Sequence, residues 1–194
     1  MQINSYSVFD ALCIGNILCE YVGDFNSSEL DLFAYFSAML FLYDKHPISN
    51  WGYKFIKNDI GAPISLEIRQ AVSNLLQTQD IISTGGYYKL TSKATSKLET
   101  LKRAYRFKYR TKYIENACDS LLTLPLGAIR TSISKEPIIN IEQTVVRELF
   151  EENSVALDLL YEKFKKINLI SECNKSLYIT ALYLLKNELC GSDL

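Results

Sequence analysis

The chain has little of what turn-rich folds require. Its 194 residues include 8 glycines, 4 prolines and a single histidine. A β-sandwich or barrel needs many turns, so the scarcity of glycine and proline favours helices. With 48 % hydrophobic and 22 % charged residues, the composition is that of a folded protein long enough to bury a real core. We therefore expect a mostly helical fold.

Cysteine and histidine are too few and too scattered to predict a metal site. The five cysteines are odd in number, none forms a Cys-x-x-Cys pair, and His46 is the single histidine. Zinc sites built from these residues need ligand spacings that this chain does not offer. We expect no metal, and we expect the cysteines to be buried free thiols in a reducing cytosol.

The motifs of catalysis and cofactor binding are missing from the sequence as well. There is no Gly-x-x-x-x-Gly-Lys-Ser/Thr loop and no Gly-x-Gly-x-x-Gly. A nucleophile paired with a histidine could use only His46, which stands just before Pro47 in a predicted loop. We predict that the protein is not an enzyme, has no catalytic residues and binds no cofactor.

No stretch predicts a membrane span or a secretory leader. The most apolar run, Leu30 to Tyr43, is 14 residues long and includes Asp31. Such a run is too short to cross a bilayer and is typical of a buried helix. No basic segment precedes an apolar one near the start, so we expect no signal peptide and a cytoplasmic protein.

Apolar periodicity and break signals predict a small hairpin among helices. Thr84-Gly85-Gly86 lies between two β-prone stretches, and a glycine pair supplies the backbone conformation of a tight hairpin. Thr91 or Ser92 caps the next helix, whose division into two pieces near Tyr105 is left open. The predicted helices cover roughly residues 7–22, 26–43, 51–60, 65–79, 91–122, 141–152, 155–166 and 175–189.

The fold class predicted from this order is mostly α with a small β-hairpin (α+β), a winged-helix-like core flanked by N- and C-terminal helices. Leu124-Pro125-Leu126-Gly127 breaks the helical pattern, and few large side chains follow it, which indicates a linker. The predicted regions are an N-terminal helical region at 1–60, the winged-helix-like module with its basic helix at 61–123, the linker at 124–140 and a C-terminal helical region at 141–194.

One stretch carries a strong local charge. From Gly86 to Lys112 there are nine basic residues and one acid, although the net charge of the chain is −1. Such a strip binds duplex DNA without reading its sequence, because each neutralised phosphate releases condensed counterions. An acidic protein partner and a merely solvated helix face are the alternatives. The predicted DNA-binding residues, called the basic strip below, are Lys89, Lys93, Lys97, Lys102, Arg103, Arg106, Lys108, Arg110 and Lys112.

Recognition of specific bases would fall on the helix predicted at 65–79. Arg69, Gln70, Ser73 and Asn74 offer groups that read base edges, although they are also ordinary surface residues.

The central segment resembles a known type of domain. From Pro63 to Leu101, with Tyr88-Lys89-Leu90-Thr91 after a glycine hairpin, it resembles the end of many bacterial winged-helix domains. The whole layout, with a C-terminal helix pair ending in Ala181-Leu182-Tyr183-Leu184-Leu185, is similar to the middle components of bacterial three-component ABC-ATPase systems. The Lamassu-type anti-phage systems belong to this group.

The resemblance implies a non-catalytic subunit that sits with an SMC-like ABC ATPase and an effector, often a nuclease. We predict an accessory subunit of this kind in anti-phage defence, which bridges ATPase and effector and touches double-stranded DNA through the complex. Two other interpretations stay open. One is a stand-alone winged-helix transcriptional regulator that acts as a homodimer, and the other is an antitoxin-like protein that neutralises a partner.

Overall fold

The fold is mostly helical, with two small antiparallel sheets, which confirms the predicted class. The computed structural model describes residues 3–57, 62–123, 147–148, 150, 158–159, 161–162 and 164–165. Its helices are α1 (Ser5–Tyr21), α2 (Ser27–Tyr43), α3 (Leu66–Gln77), α4 (Ser92–Lys102) and α5 (Tyr105–Leu121). Its strands are β1 (Ile56–Lys57), β2 (Pro63–Ile64), β3 (Ile81–Thr84), β4 (Tyr87–Leu90) and β5 (Arg147–Glu148).

Side-chain caps fix where four of the helices begin. Asn26 accepts a hydrogen bond from the Glu29 amide, and the Glu29 carboxylate accepts one from the Asn26 amide. This reciprocal pair satisfies two amides that the first helical turn leaves without partners. Asn4, Ser65 and Thr91 cap α1, α3 and α4 in the simpler way. The exception is α5, where the capping position is Ala104 and no side chain closes the helix end.

The core is a single cluster of apolar side chains, with α2 at its centre. All but a few residues of α2 are buried, as its sequence, apolar nearly all round, predicts. Phe9 of α1 stacks on Phe107 of α5 with ring centroids 4.4 Å apart, and α3 and α4 add Ile68 and Leu98. Both 1–60 and 61–123 therefore contribute to the same core, while the predicted linker 124–140 lies outside the described residues.

The hairpin of β3 and β4 forms as predicted. Ile82 lies opposite Lys89 and Thr84 opposite Tyr87, with Gly85 and Gly86 at φ values of 60° and 85° in the turn. Phe25, in the connection between α1 and α2, forms a bridge with Tyr88 of β4. This bridge ties the hairpin to the N-terminal helices.

The helix predicted at 51–60 is wrong. A short 3₁₀ helix, Ile48–Trp51, ends at Gly52, and β1 then pairs antiparallel with β2. Trp51, Tyr53 and Phe55 are buried while Gly52 and Lys54 between them are not, and this alternation belongs to an extended chain. The core accepts every second side chain here, and Gly52 at φ 89° stops the helical turn.

The prediction of a helix at 141–152 is also wrong for the residues of that range that the structure describes. Arg147 and Glu148 form β5, which pairs with β1. The edge of β1 that does not face β2 offers backbone hydrogen-bonding groups to β5. Local sequence periodicity does not reveal such a distant partner. Residues 158–159, 161–162 and 164–165 are helical and fall within the helix predicted at 155–166, whereas the helix predicted at 175–189 lies outside the described residues.

Across the described part of the chain, no helix is both long enough and apolar enough to cross a membrane.

Candidate nucleic-acid interface

Two of the lysines that the basic strip has on α4 share a single carboxylate. Lys97 Nζ lies 2.7 Å from Asp80 Oδ2, and Lys93 Nζ lies 3.5 Å from Asp80 Oδ1. Burial raises the pKa of Asp80, but hydrogen bonds from Lys97 and Thr78 outweigh it, and the pKa is lowered overall. These lysines therefore hold α4 against the turn between α3 and β3, and Asp80 offsets part of their charge.

Arg110 does not belong to an exposed surface at all. Its side chain is 5 % exposed, and its Nε and Nη2 atoms lie 2.5 and 2.6 Å from the two oxygens of buried Asp10. Its Nη1 donates to the Trp51 carbonyl at 2.7 Å, and its guanidinium lies 3.4 Å from the centre of the Trp51 ring. The prediction of Arg110 as a DNA-binding residue is therefore wrong, because a carboxylate from α1 draws this cation into the core.

Lys112 is held in a polar cluster at the end of α2. Its Nζ donates to Asp44 at 3.2 Å, and Tyr113 Oη donates to the same carboxylate at 2.7 Å. Tyr109 contacts both Tyr113 and His46 through its hydroxyl. Burial raises the pKa of Asp44, but the bonds from Tyr113 and Lys112 lower it by more. Lys112 is exposed, yet its charge is largely compensated.

Four cations of the basic strip remain exposed and without an acidic partner among the described residues: Lys89, Arg103, Arg106 and Lys108. Lys102 differs from them because it lies 3.7 Å from Glu99. Arg103, Arg106 and Lys108 surround the break between α4 and α5, where Tyr105 is 90 % exposed. We call Arg103, Tyr105, Arg106 and Lys108, with the uncapped amides of α5, the α5 entry site.

The backbone of the α5 entry site adds to its positive potential. No side chain accepts from the first amides of α5, and the helix is 17 residues long. The positive end of the helix dipole favours an anion at this point, and the Tyr105 and Arg106 amides can donate to it, whereas the Phe107 amide already donates to the Ala104 carbonyl at 2.9 Å. Phosphate oxygens would meet amide, guanidinium and ammonium donors within six consecutive residues.

The α3 residues predicted to read bases lie together on one face of the helix. Arg69, Gln70, Ser73 and Asn74 line a shallow depression of about 390 Å³ with Ile3, Leu66 and Gln77. Arg69 is committed to buried Asp31, with Nη2 and Nε at 2.6 and 2.7 Å from its Oδ2. Burial raises the pKa of Asp31 to about 6, against the opposing effect of Arg69 and of the Ser65 amide. The side chain of Ser73 is exposed, and those of Gln70 and Asn74 are half-buried.

Reactive groups are few in the part of the chain that the structure describes. No three His, Cys, Asp or Glu residues there are placed to hold a metal ion. Cys13 and Cys118 are buried free thiols as predicted, and burial raises the pKa of Cys13 to about 12. Cys19 is partly exposed, and Cys173 and Cys190 lie outside the described residues.

Comparisons with protein-family models, with curated proteins and with solved structures find no match to this chain. The protein can therefore be classified only by its own fold and site. That class is a mostly helical protein with a core-anchored hairpin and a cationic, uncapped helix end.

Proposed function

We propose that the α5 entry site binds the phosphates of double-stranded DNA without reading the sequence. The observation that carries the proposal is the grouping of three uncompensated cations with the open amino terminus of α5. Tyr105, which is 90 % exposed, adds a hydroxyl group, and tyrosine hydroxyls also donate to phosphate.

At the level of biology, the proposal is a cytoplasmic accessory subunit of an SMC-like ATPase complex in anti-phage defence. It would bridge the ATPase and an effector nuclease, and it would itself perform no catalysis. The layout of the sequence supports this assignment. The order α1, α2, β1, β2, α3, β3, β4 adds some support, because Phe25 between α1 and α2 pairs with the hairpin, as a strand-like residue does in a winged-helix module.

A sequence-specific regulator is the second candidate, and one observation favours it. Gln70, Ser73 and Asn74 line the same depression on α3, and amide side chains such as those of Gln70 and Asn74 form paired hydrogen bonds with adenine in the major groove. A regulator should bind an operator roughly 10³-fold or more tightly than random DNA. The accessory subunit should show no such preference.

The DNA contact is tested with two variants that each remove two positive charges. Arg106→Gln/Lys108→Gln removes uncompensated charge, and Lys93→Gln/Lys112→Gln removes charge that Asp80 and Asp44 already compensate. Binding to a random-sequence duplex is measured by fluorescence anisotropy over a range of salt concentrations. We expect the first variant to weaken binding about tenfold or more at low salt and to reduce the salt slope by about 1–2. Equal losses in both variants would contradict the proposed site.

The assembly is tested by affinity purification of the tagged protein from its native host. Recovery of a large ABC-type ATPase, in a complex whose DNA binding weakens with salt, supports the accessory subunit. Recovery of a dimer bound to one palindromic sequence supports the regulator. Rescue of growth when the protein is co-expressed with a toxic partner would instead support an antitoxin.

A further inference from the structure

The outer edge of β3 presents unpaired backbone groups. In an antiparallel pair, the backbone groups of successive residues point alternately toward the partner strand and away from it. Tyr88 donates to the Phe25 carbonyl at 2.7 Å and accepts from the Phe25 amide at 3.1 Å, so its backbone points away from β3. Ser83 lies directly opposite Tyr88. Its amide and carbonyl therefore point the other way, to the outer edge, and those of Ile81 do the same.

Among the described residues nothing pairs with that edge, and apart from its shortness it has no protecting feature. Among the described elements, β3 packs mainly against β4 and α3. Ile82, Ser83 and Thr84 are all exposed. Natural sheets usually protect such an edge with a charged residue, a proline or a bulge. The sequence Ile-Ile-Ser-Thr has no charge and no proline, and its pairing with β4 is regular.

The outer face of the hairpin adds side-chain chemistry to the edge. Side chains alternate between the two faces of a sheet, so Ile82, Thr84, Tyr87 and Lys89 share the face that does not cover the core. Ile82 and Tyr87 are 52 % and 51 % exposed, and Lys89 is exposed without an acidic partner among the described residues. An apolar pair beside a free cation would suit a segment that alternates apolar and acidic side chains.

We infer that β3 is a docking edge for an extended segment of a partner protein, which adds a strand to the hairpin and places acidic side chains near Lys89. Strand addition gives affinity through the backbone and specificity through alternate side chains. A second copy of this chain is the less suitable occupant, because its own edge strand, Ile-Ile-Ser-Thr, has no acidic side chain to place near Lys89. The inference does not depend on the DNA contact, since it uses a different surface.

The test begins with a displayed library of random ten-residue peptides selected against the purified protein. We expect the enriched sequences to alternate apolar residues with aspartate or glutamate and to contain no proline at their centre. Selection against Lys89→Glu should exchange the acidic residues for lysine or arginine. Absence of enrichment, or enrichment that ignores the charge at position 89, would overturn the inference.

A second measurement distinguishes strand addition from other modes of binding. The best peptide is synthesised with N-methyl groups at alternate amides, in two versions of opposite parity. Only every second residue of an added strand faces β3, so one version should lose at least tenfold in affinity and the other should bind nearly as before. The amide signals of Ile81 and Ser83 should shift in NMR spectra of the complex.

Equal loss in both N-methylated versions, or shifts confined to α3 or α5, would contradict an edge at β3. Light scattering tests whether the protein dimerises through this edge. A dimer that Ser83→Pro abolishes, in a protein that binds no peptide, would assign the edge to a second copy and overturn the inference. Chemical shifts at Ser83 on adding duplex DNA, absent on adding peptide, would assign the hairpin to nucleic acid and overturn it equally.

Discussion

Arg106 and Arg110 are one helical turn apart on α5, and they have opposite environments. Arg106 is exposed and lies 4.6 Å from the Phe107 ring centre, with no acidic partner among the described residues. Arg110 is 5 % exposed and bound to both oxygens of Asp10. The difference shows that a basic residue contributes to a binding surface only when no carboxylate from another element reaches it.

The largest expected effect is a loss of stability when Arg110, the buried arginine, is replaced. Arg110→Met leaves Asp10 charged and unpaired in the core, and breaking a buried pair from one side typically costs about 3–5 kcal/mol. Arg106→Met should change the free energy of unfolding by less than about 0.5 kcal/mol, as most surface substitutions do. Urea denaturation of both variants measures the contrast.

The double variant Asp10→Asn/Arg110→Met serves as the control for this contrast. Without the orphaned charge, part of the lost stability should return. If Arg110→Met were as stable as Arg106→Met, the buried ion pair would have no structural role. The division of the basic strip into buried, compensated and uncompensated cations would then be contradicted.

Arg69 lies between these two extremes, because its partner is buried and it is not. Asp31 is fully buried, whereas the Arg69 side chain is 41 % exposed. The pKa of Asp31 is raised from 3.8 to about 6, so its contribution to stability is greatest below about pH 4 and is lost as the pH rises through about 6. Removing Arg69 should raise that pKa further, so that the loss continues at higher pH.

Arg69→Gln should therefore be progressively less stable than the unsubstituted protein between about pH 5 and pH 8. The increase in the difference should be on the order of 1 kcal/mol, allowing for solvent screening of the exposed guanidinium. Denaturation curves at several pH values provide the measurement. The variant Asp31→Asn/Arg69→Gln should show no such trend, and a trend that persisted there would assign the titration to another group.

Most of the helices and the hairpin were predictable from local sequence. The cap at Thr91 and the Gly85-Gly86 turn act through near neighbours, and both predictions are confirmed. The extended chain after Gly52 was not recognised, because Trp51, Phe55 and Ile56 stand at the spacing of one helix face over so few residues.

The candidate site was predictable only in part. The basic strip was predicted by counting basic residues along the sequence. The charge that these residues can offer to a ligand depends on which acidic side chains the fold brings close to them. Asp10 reaches Arg110 across 100 residues, and no local pattern announces such a pair. One signal was present in the sequence, since Ala104 offers no cap at the break between α4 and α5.

The smallest expected effect tests whether compensated lysines can be returned to the binding surface. Asp80→Asn preserves the shape of the side chain and removes the charge that Lys93 and Lys97 share. Stability should fall by no more than about 1 kcal/mol, because both lysines are partly exposed. Affinity for random duplex DNA should rise roughly two- to fivefold at low salt, with a steeper salt slope, since freed cations release counterions on binding.

Asp119→Asn is the matched control for this prediction. Asp119 is exposed on the last turns of α5, so its substitution makes the same change in net charge without freeing a lysine of α4. If both variants raised DNA affinity equally, net charge alone would explain the effect. A rise in Asp80→Asn alone would show that the acids of the fold, rather than the number of basic residues, determine which part of the strip meets DNA.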